Sequence, residues 1–280
     1  MGVAIVIFLV FLLLGMPVAF AIGISGFSFF IIRDLPMTML VQKSISATQS
    51  FTMLASPLFI LAGNLMNATG ITKRLMRLAN VLTGHMYGNV GQVSCVLSTL
   101  MGGVSGSAVA DAAMETRILG PEMERLGYAK GWAAAINGLS GLIVATIPPS
   151  MGLIIYGTVG EVSIGRLFMA GWVPGLLMMV LLMLATSWSA HHFGYKPEHT
   201  KRATLKQIGR EVVSSIWALL FPVLLIVLIR FGIMSPSESG AFACAYALFV
   251  GVVVYKELTW ETLMKTLKDS VKDITVITII

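Results

Sequence analysis

The chain has 280 residues, of which 56% are hydrophobic and only 11% charged, and its mean hydropathy is +0.88. Soluble domains carry roughly a quarter charged residues, so an ordinary water-soluble fold is excluded. The net charge of +6 does not point to nucleic acid as a partner, because the basic residues fall in short segments between apolar tracts, where they act as topology signals.

Asp, Glu, Lys and Arg are absent from 1–32, 44–72, 78–110, 131–160, 167–190, 212–229 and 239–255. A helix crosses a bilayer with about 20 apolar residues, so most of these tracts are long enough to span. The pattern predicts an all-α polytopic membrane protein with lipid as its solvent. The first tract, 1–32, is interrupted at Gly15-Met16-Pro17 and reads as one crossing or two. It lacks a basic leader and a cleavage site, so it is expected to be retained. A polar, amphipathic connector follows over 33–50, then a span over 51–68 and a basic amphipathic arm over 71–87. Further spans are predicted at 131–160, 167–190, 212–232 and 238–255, with another beginning before Ile280. Cys95, Cys244 and the four histidines, His85, His191, His192 and His199, have no metal-ligand or disulfide spacing.

Two basic segments set the orientation. Residues 191–210 carry five Lys/Arg, and 256–273 carry Lys256, Lys265, Lys268 and Lys272. Both are expected on the cytoplasmic side, with 71–77 beside them and the short turns 161–166 and 233–237 outside. Internal repetition is a hallmark of membrane transport folds. RDLPMTML (33–40) aligns with KELTWETL (256–263) at an offset of 223, and the charge count gives the two copies opposite orientation. The expected organisation is a first repeat over 1–190, a basic cytoplasmic loop over 191–211, and the first part of an inverted second repeat over 212–280.

Two interruptions carry chemistry. MGGVSGSAVADAA (101–113) places Gly102-Gly103 and Ser105-Gly106, all poor helix formers, inside an uncharged tract. Irregular backbone survives in lipid only where protein or water covers it. The reading is a re-entrant hairpin with arms 89–101 and 107–120, each about 20 Å long at 1.5 Å per residue. Ser107 suits the N-cap of the second arm, whose dipole favours an anion. The last carbonyls of the first arm and the serine hydroxyls offer oxygens to Na⁺. Asp111 lies four residues beyond Ser107 on the same face, and Glu115 continues that stripe. A carboxylate there either faces a site or packs against a nearby cation among small residues. The second interruption, Pro148-Pro149-Ser150, falls mid-span in 131–160. It predicts a broken helix whose second half starts at MGLIIYG.

LASPLFILAGNLMNATGITKRL (54–75), GGVSGSAVADAAMETRILGPEMERLGY (102–128), ATIPPSMGLIIYGTVGEVSIGRLFMAGWVPGLL (145–177) and FGIMSPSESGAFACAYAL (231–248) together resemble the large, DctM-like membrane subunit of TRAP (tripartite ATP-independent periplasmic) transporters. The resemblance implies an inverted-repeat secondary transporter in the bacterial inner membrane, with a Na⁺-driven elevator mechanism. Its implied partners are a small TRAP membrane subunit and a periplasmic solute-binding protein that delivers a small carboxylated solute. No cofactor is implied beyond Na⁺ as coupling ion. The candidate substrate- and Na⁺-binding residues are Gly103, Ser105, Gly106, Ser107 and Asp111 at the hairpin tip, and Asn137, Thr146, Pro148, Pro149 and Ser150 around the broken helix. The ion itself is assigned to Ser105 and Ser107. The family's Thr-Pro-Thr-Glu block stands here as Ser235-Pro236-Ser237-Glu238.

Members of that family are longer, with a second hairpin and a second broken helix. The chain is therefore expected to be a fragment or a truncated reading frame holding half of the binding site. Two other readings compete. Gly103-Val104-Ser105-Gly106 fits the G-x-S-G pattern of rhomboid-like intramembrane serine proteases, but such chemistry needs a histidine base beside the serine. The chain's histidines lie at span ends or in amphipathic segments. A non-transporting scaffold or assembly subunit is the third.

Overall fold

Gly15-Met16-Pro17 divides the first apolar tract into α1 (Gly2–Leu13) and α2 (Val18–Ile32), two helices that pack on each other. The computed structural model describes residues 2–48, 54–104, 106–197 and 202–279. Among these, α3 (Met37–Thr48), α4 (Ala55–Ala68) and α5 (Ile71–Thr83) follow, and then the hairpin arms α6 (Asn89–Gly102) and α7 (Ala108–Arg125). The broken helix is α8 (Lys130–Thr146) and α9 (Met151–Val159), bent by 47°. Next come α10 (Ile164–His192), α11 (Leu205–Ser214), α12 (Ile216–Arg230), α13 (Pro236–Phe249) with a π-helical extension over Val250–Val254, and α14 (Trp260–Ile279).

α10 and the stretch Ser237–Val254 are long and apolar enough to cross a membrane. Two bent pairs, α8 with α9 and α11 with α12, qualify when each is taken as one span. The chain is an all-α polytopic membrane protein. Its expected elements differ from the observed ones in several bounds, and α5 stops at Thr83 where the amphipathic arm was expected to reach residue 87. The loop over 191–211 contains most of α11, and the span expected from residue 212 begins only at Ile216, after a 66° bend. A capping box at Thr204 and Gln207 starts α11, and α11 packs along α5. At the bend, buried Ser215 donates to the Arg74 carbonyl at 3.2 Å, which ties the chain to α5 before it turns into the core. The second hairpin arm also runs past Gly120-Pro121 to Arg125, because Leu119 and Met123 on one face are buried in the core cluster.

The basic segments gather at one end. Arg74 pairs with Glu257 at 2.9 Å and lies 3.6 Å from the centre of the Tyr255 ring. The turns before α6 and between α7 and α8 reach the same end. Gly88 N–H donates to the Tyr195 carbonyl at 3.3 Å, and Ala129 N–H to the Tyr195 hydroxyl at 2.9 Å. Tyr128, Trp132 and Tyr195 pack around this junction, edge to face or tilted, and the Trp132 indole donates to Ser189 at 3.0 Å. At the other end, the turn before α10 lies against the end of α12, where a Cβ on Gly165 would be 3.4 Å from Ile229. The hairpin thus starts and finishes at the basic end and places its tip inside the molecule.

The two parts of the chain interlock. α13 packs on α4, and a Cβ on Gly240 would lie 2.8 Å from Leu58. α14 reaches α4 as well, where the Asn64 amide donates to Ser270 at 3.1 Å and to Asp273 at 2.9 Å. α10 presses against the break between α8 and α9. A Cβ on Gly171 would lie 2.4 Å from the Thr146 carbonyl oxygen, and one on Gly175 2.4 Å from Ile147. Gly171→Val is therefore expected to lower stability by about 1–3 kcal/mol through overpacking. Gly165→Ala, in ordinary contact, should be neutral or stabilising by up to ~1 kcal/mol. Thermal unfolding followed by tryptophan fluorescence checks the contrast, and equal effects at the two positions would refute the packing argument.

Candidate functional site

The two interruptions meet in space. α6 ends at Gly102 and α8 at Thr146, while α7 begins at Ala108 and α9 at Met151. The link between them is backbone to backbone: Met151 N–H donates to the Gly106 carbonyl at 3.2 Å. Gly106 has φ +61°, and a Cβ there would lie 2.4 Å from the Pro149 carbonyl oxygen. Glycine is required on both counts. Gly103 closes α6 against α12, with Pro222 2.4 Å from where its Cβ would be. Ser105 lies outside the described residues. Ser107 stands just before α7, and its carbonyl accepts the Asp111 N–H at 3.0 Å.

Pro148, Pro149 and Ser150 are buried at the break. Ser150 is the N-cap of α9. Its hydroxyl accepts the Leu153 N–H at 3.4 Å and donates to the Ala145 carbonyl at 2.5 Å. One side chain thereby satisfies backbone groups on both sides of the bend. Thr146 is turned towards α10 instead, with its hydroxyl donating to Leu142 O at 2.9 Å and lying 3.5 Å from Met178 Sδ.

Behind the tip lies a polar cluster between the arms and α8. Asp111 and Glu115 are 2% and 0% exposed. Ser98 on α6 lies 2.9 Å from Asp111 Oδ2 and 2.8 Å from Glu115 Oε1. Ser94 and Ser140 lie 2.5 and 2.9 Å from Glu115 Oε2, and 2.8 Å from each other. The sequence allowed Asp111 a cation as partner. Among the described residues its partner is a serine, and the ion pairs lie elsewhere. Asn137, on the α8 face that also carries Ser140, is 1% exposed.

The structure therefore joins Gly103, Gly106, Pro148, Pro149 and Ser150 into one junction, with Asp111 and Asn137 behind it and Thr146 to one side. Ser94, Ser98 and Ser140 were not singled out by sequence reasoning. Their signal was available: Ser94 and Ser98 are four apart on α6, as Asp111 and Glu115 are on α7, and such pairs share a helix face.

Half-helices that meet inside a bundle of membrane-length helices define the class, that of a polytopic membrane protein built like a secondary transporter. The chain belongs to the DctM family, described as the DctM component of tripartite ATP-independent periplasmic transporters, whose profile matches residues 5–280. It is 38% identical over 265 residues to the 2,3-diketo-L-gulonate TRAP transporter large permease protein YiaN of Escherichia coli, covering 94% of this chain and 62% of that one. The sialic acid TRAP transporter large permease protein SiaM of Vibrio cholerae is 36% identical over 266 residues, 94% of this chain and 61% of its own length. The C4-dicarboxylate TRAP transporter large permease protein DctM of Rhodobacter capsulatus is 31% identical over 274 residues, with 92% and 62% covered. The chain thus spans about three fifths of the length of these relatives. They are permeases rather than enzymes, and membership sets the intramembrane protease reading aside.

Ser150→Ala is expected to lose about 0.5–2 kcal/mol, the usual worth of an N-cap. Gly106→Ala should cost about 1–3 kcal/mol from its forced left-handed backbone, and more from the clash with Pro149. Thermal unfolding of the purified protein in detergent checks both, and an unchanged midpoint for Gly106→Ala would refute the junction.

Proposed function

We propose that the chain supplies the hairpin and broken helix of the large permease subunit of a Na⁺-coupled TRAP transporter in the bacterial inner membrane. The transported solute is a small carboxylate, handed over by a periplasmic binding protein, and a small membrane subunit completes the assembly. The observation that carries this reading is the meeting of the hairpin tip with the broken helix through Gly106 and Met151. Two helix N-termini, at Ala108 and Met151, and two C-termini, at Gly102 and Thr146, end at that junction. N-terminal N–H groups favour an anion, and C-terminal carbonyls favour a cation. In this reading one junction takes a carboxylate and Na⁺ together, with the ion assigned to Ser105 and Ser107. The relatives named for diketogulonate, sialic acid and C4-dicarboxylates support the substrate class, since all of these are carboxylates.

In this reading Gly103 and Gly106 keep the tip thin, and Pro148, Pro149 and Ser150 hold the facing half-helix open. Asp111 and Asn137 support the tip from behind, and Thr146 fixes the break to α10. The hairpin and the broken helix move together as the elevator, and the second half of the site comes from the partner repeat.

The test is uptake of a carboxylated solute by the full-length assembly in proteoliposomes, with and without a Na⁺ gradient. Ser105→Leu and Ser107→Leu are expected to reduce Na⁺-dependent uptake by about tenfold or more, equivalent to ~1.4 kcal/mol, at unchanged membrane abundance. Uptake that keeps its rate in both variants, or that ignores the gradient in the wild type, would reject the assignment.

A further inference from the structure

α11 packs on α5 yet has no fully buried side chain. Its half-buried positions, Ile208, Glu211 and Val212, share one side, so the acid of the helix is turned inward. The opposite side is open. It carries Lys206 and Arg210, both exposed, beside Leu205 and Val213, which are 88% and 72% exposed. Gly209 lies between these two apolar residues, and a Cβ there would meet nothing within 4 Å.

The cations do not serve the helix that bears them. Lys206 sits in the first turn of α11, where the positive end of the dipole disfavours a cation. Arg210 follows four residues later on the same face, and like charges at that spacing repel. Arg202, also exposed, stands four residues before Lys206. On α5, Lys73 and Arg77 repeat the spacing and are exposed as well. Among the described residues none of these five takes part in an ion pair. A topology signal needs cations in the segment, but it does not need them on one side of a helix beside exposed leucine and valine. An anion outside the chain relieves the repulsion.

The bend says where that anion lies. With Lys206, Arg210 and Glu211 in ten residues, α11 is too charged for the hydrocarbon, and it is inclined by 66° to α12. With α12 crossing the membrane, α11 runs nearer to the membrane plane than to its normal. An exposed apolar stripe on α12 (Ile216, Leu220, Val223 and Val227) starts three residues beyond Val213. The apolar positions of α11 thus adjoin the surface of a membrane-crossing segment. Charge alone would also fit an acidic peptide. Basic and apolar side chains on one side of a helix at this position fit the boundary between headgroups and acyl chains.

We propose that the outer side of α11 is a docking surface for anionic phospholipid in the leaflet at the basic end of the molecule. Arg202, Lys206 and Arg210 hold the phosphate-bearing headgroups, while Leu205 and Val213 reach the acyl chains. Bound lipid then fixes α11, and through it α5, at the membrane surface.

Native mass spectrometry of the purified protein in detergent, supplied with equal amounts of phosphatidylglycerol and phosphatidylcholine, reads lipid retention without any transport measurement. Its outcome is therefore separate from that of the transport reading. Wild type is expected to retain phosphatidylglycerol over phosphatidylcholine by about tenfold or more. The triple variant Arg202→Gln, Lys206→Gln, Arg210→Gln is expected to lower that ratio by about tenfold. A control with Lys265→Gln, Lys268→Gln and Lys272→Gln removes three exposed charges from α14 and should keep it. If the α11 triple variant fails to fold, Leu205→Ser with Val213→Ser decides, and reduced phosphatidylglycerol retention is expected. Equal retention of the two lipids by wild type overturns the proposal. So does an equal loss in the α14 control, which would mean a diffuse charge effect, or unchanged retention in the Leu205→Ser, Val213→Ser variant. A spectrum in which the α11 variant releases a polypeptide rather than lipid overturns it equally.

Discussion

Helices that end inside lipid need partners for the backbone groups they leave open, and the contact between Gly106 and Met151 answers that need. An unpaired N–H or carbonyl in hydrocarbon costs several kcal/mol. The hairpin tip and the broken helix therefore each gain from lying against the other in the membrane. Each covers part of the open end of the other, and Ser150 bonds Leu153 on one side of the bend and Ala145 on the other. Other features of the interior follow from keeping that junction close. Gly103 lets Pro222 approach, and Gly171 and Gly175 let α10 lie on the bend.

The distribution of charge follows from the same solvent. Arg74 and Glu257 sit at the end where the basic segments collect, with the cation also covered by the Tyr255 ring. Their contact ties α5 to the turn that precedes α14, so the first and last parts of the chain share one rim. Among the described residues Asp111 and Glu115 are the exception, a pair of acids in the packed interior. Their hydrogen-bond partners are serines from two helices rather than basic side chains. Such a cluster is specific as well as costly: it fixes the rotation of α6 and α8 about α7, because a small turn of either helix would strip the carboxyls of their donors.

The local chemistry of the family is thus placed by two kinds of constraint. Glycine and proline decide where helices stop, and polar side chains decide how the stopped helices face each other. The comparison with longer relatives fits this division. The chain contains one hairpin and one broken helix joined to each other by the Gly106–Met151 backbone bond.

The amino-acid sequence by itself determined the class, the positions of the breaks and the end at which the basic segments gather. These depend on local properties: apolar length, helix-breaking residues and charge counts, each legible within a short window. Gly15-Met16-Pro17, MGGVSGS and Pro148-Pro149 all interrupt helices where the composition required. What the sequence could not decide was contact across distance. That Gly106 touches Met151, that Ser98 lies between two carboxyls, and that α11 leaves the supposed loop to lie on α5 depend on side chains remote in the chain arriving together. Ser94, Ser98 and Ser140 look like ordinary small residues of a membrane helix until packing turns them towards Glu115. Only the tertiary structure sets that rotation, because neutral serines in apolar helices carry no local preference for one facing over another.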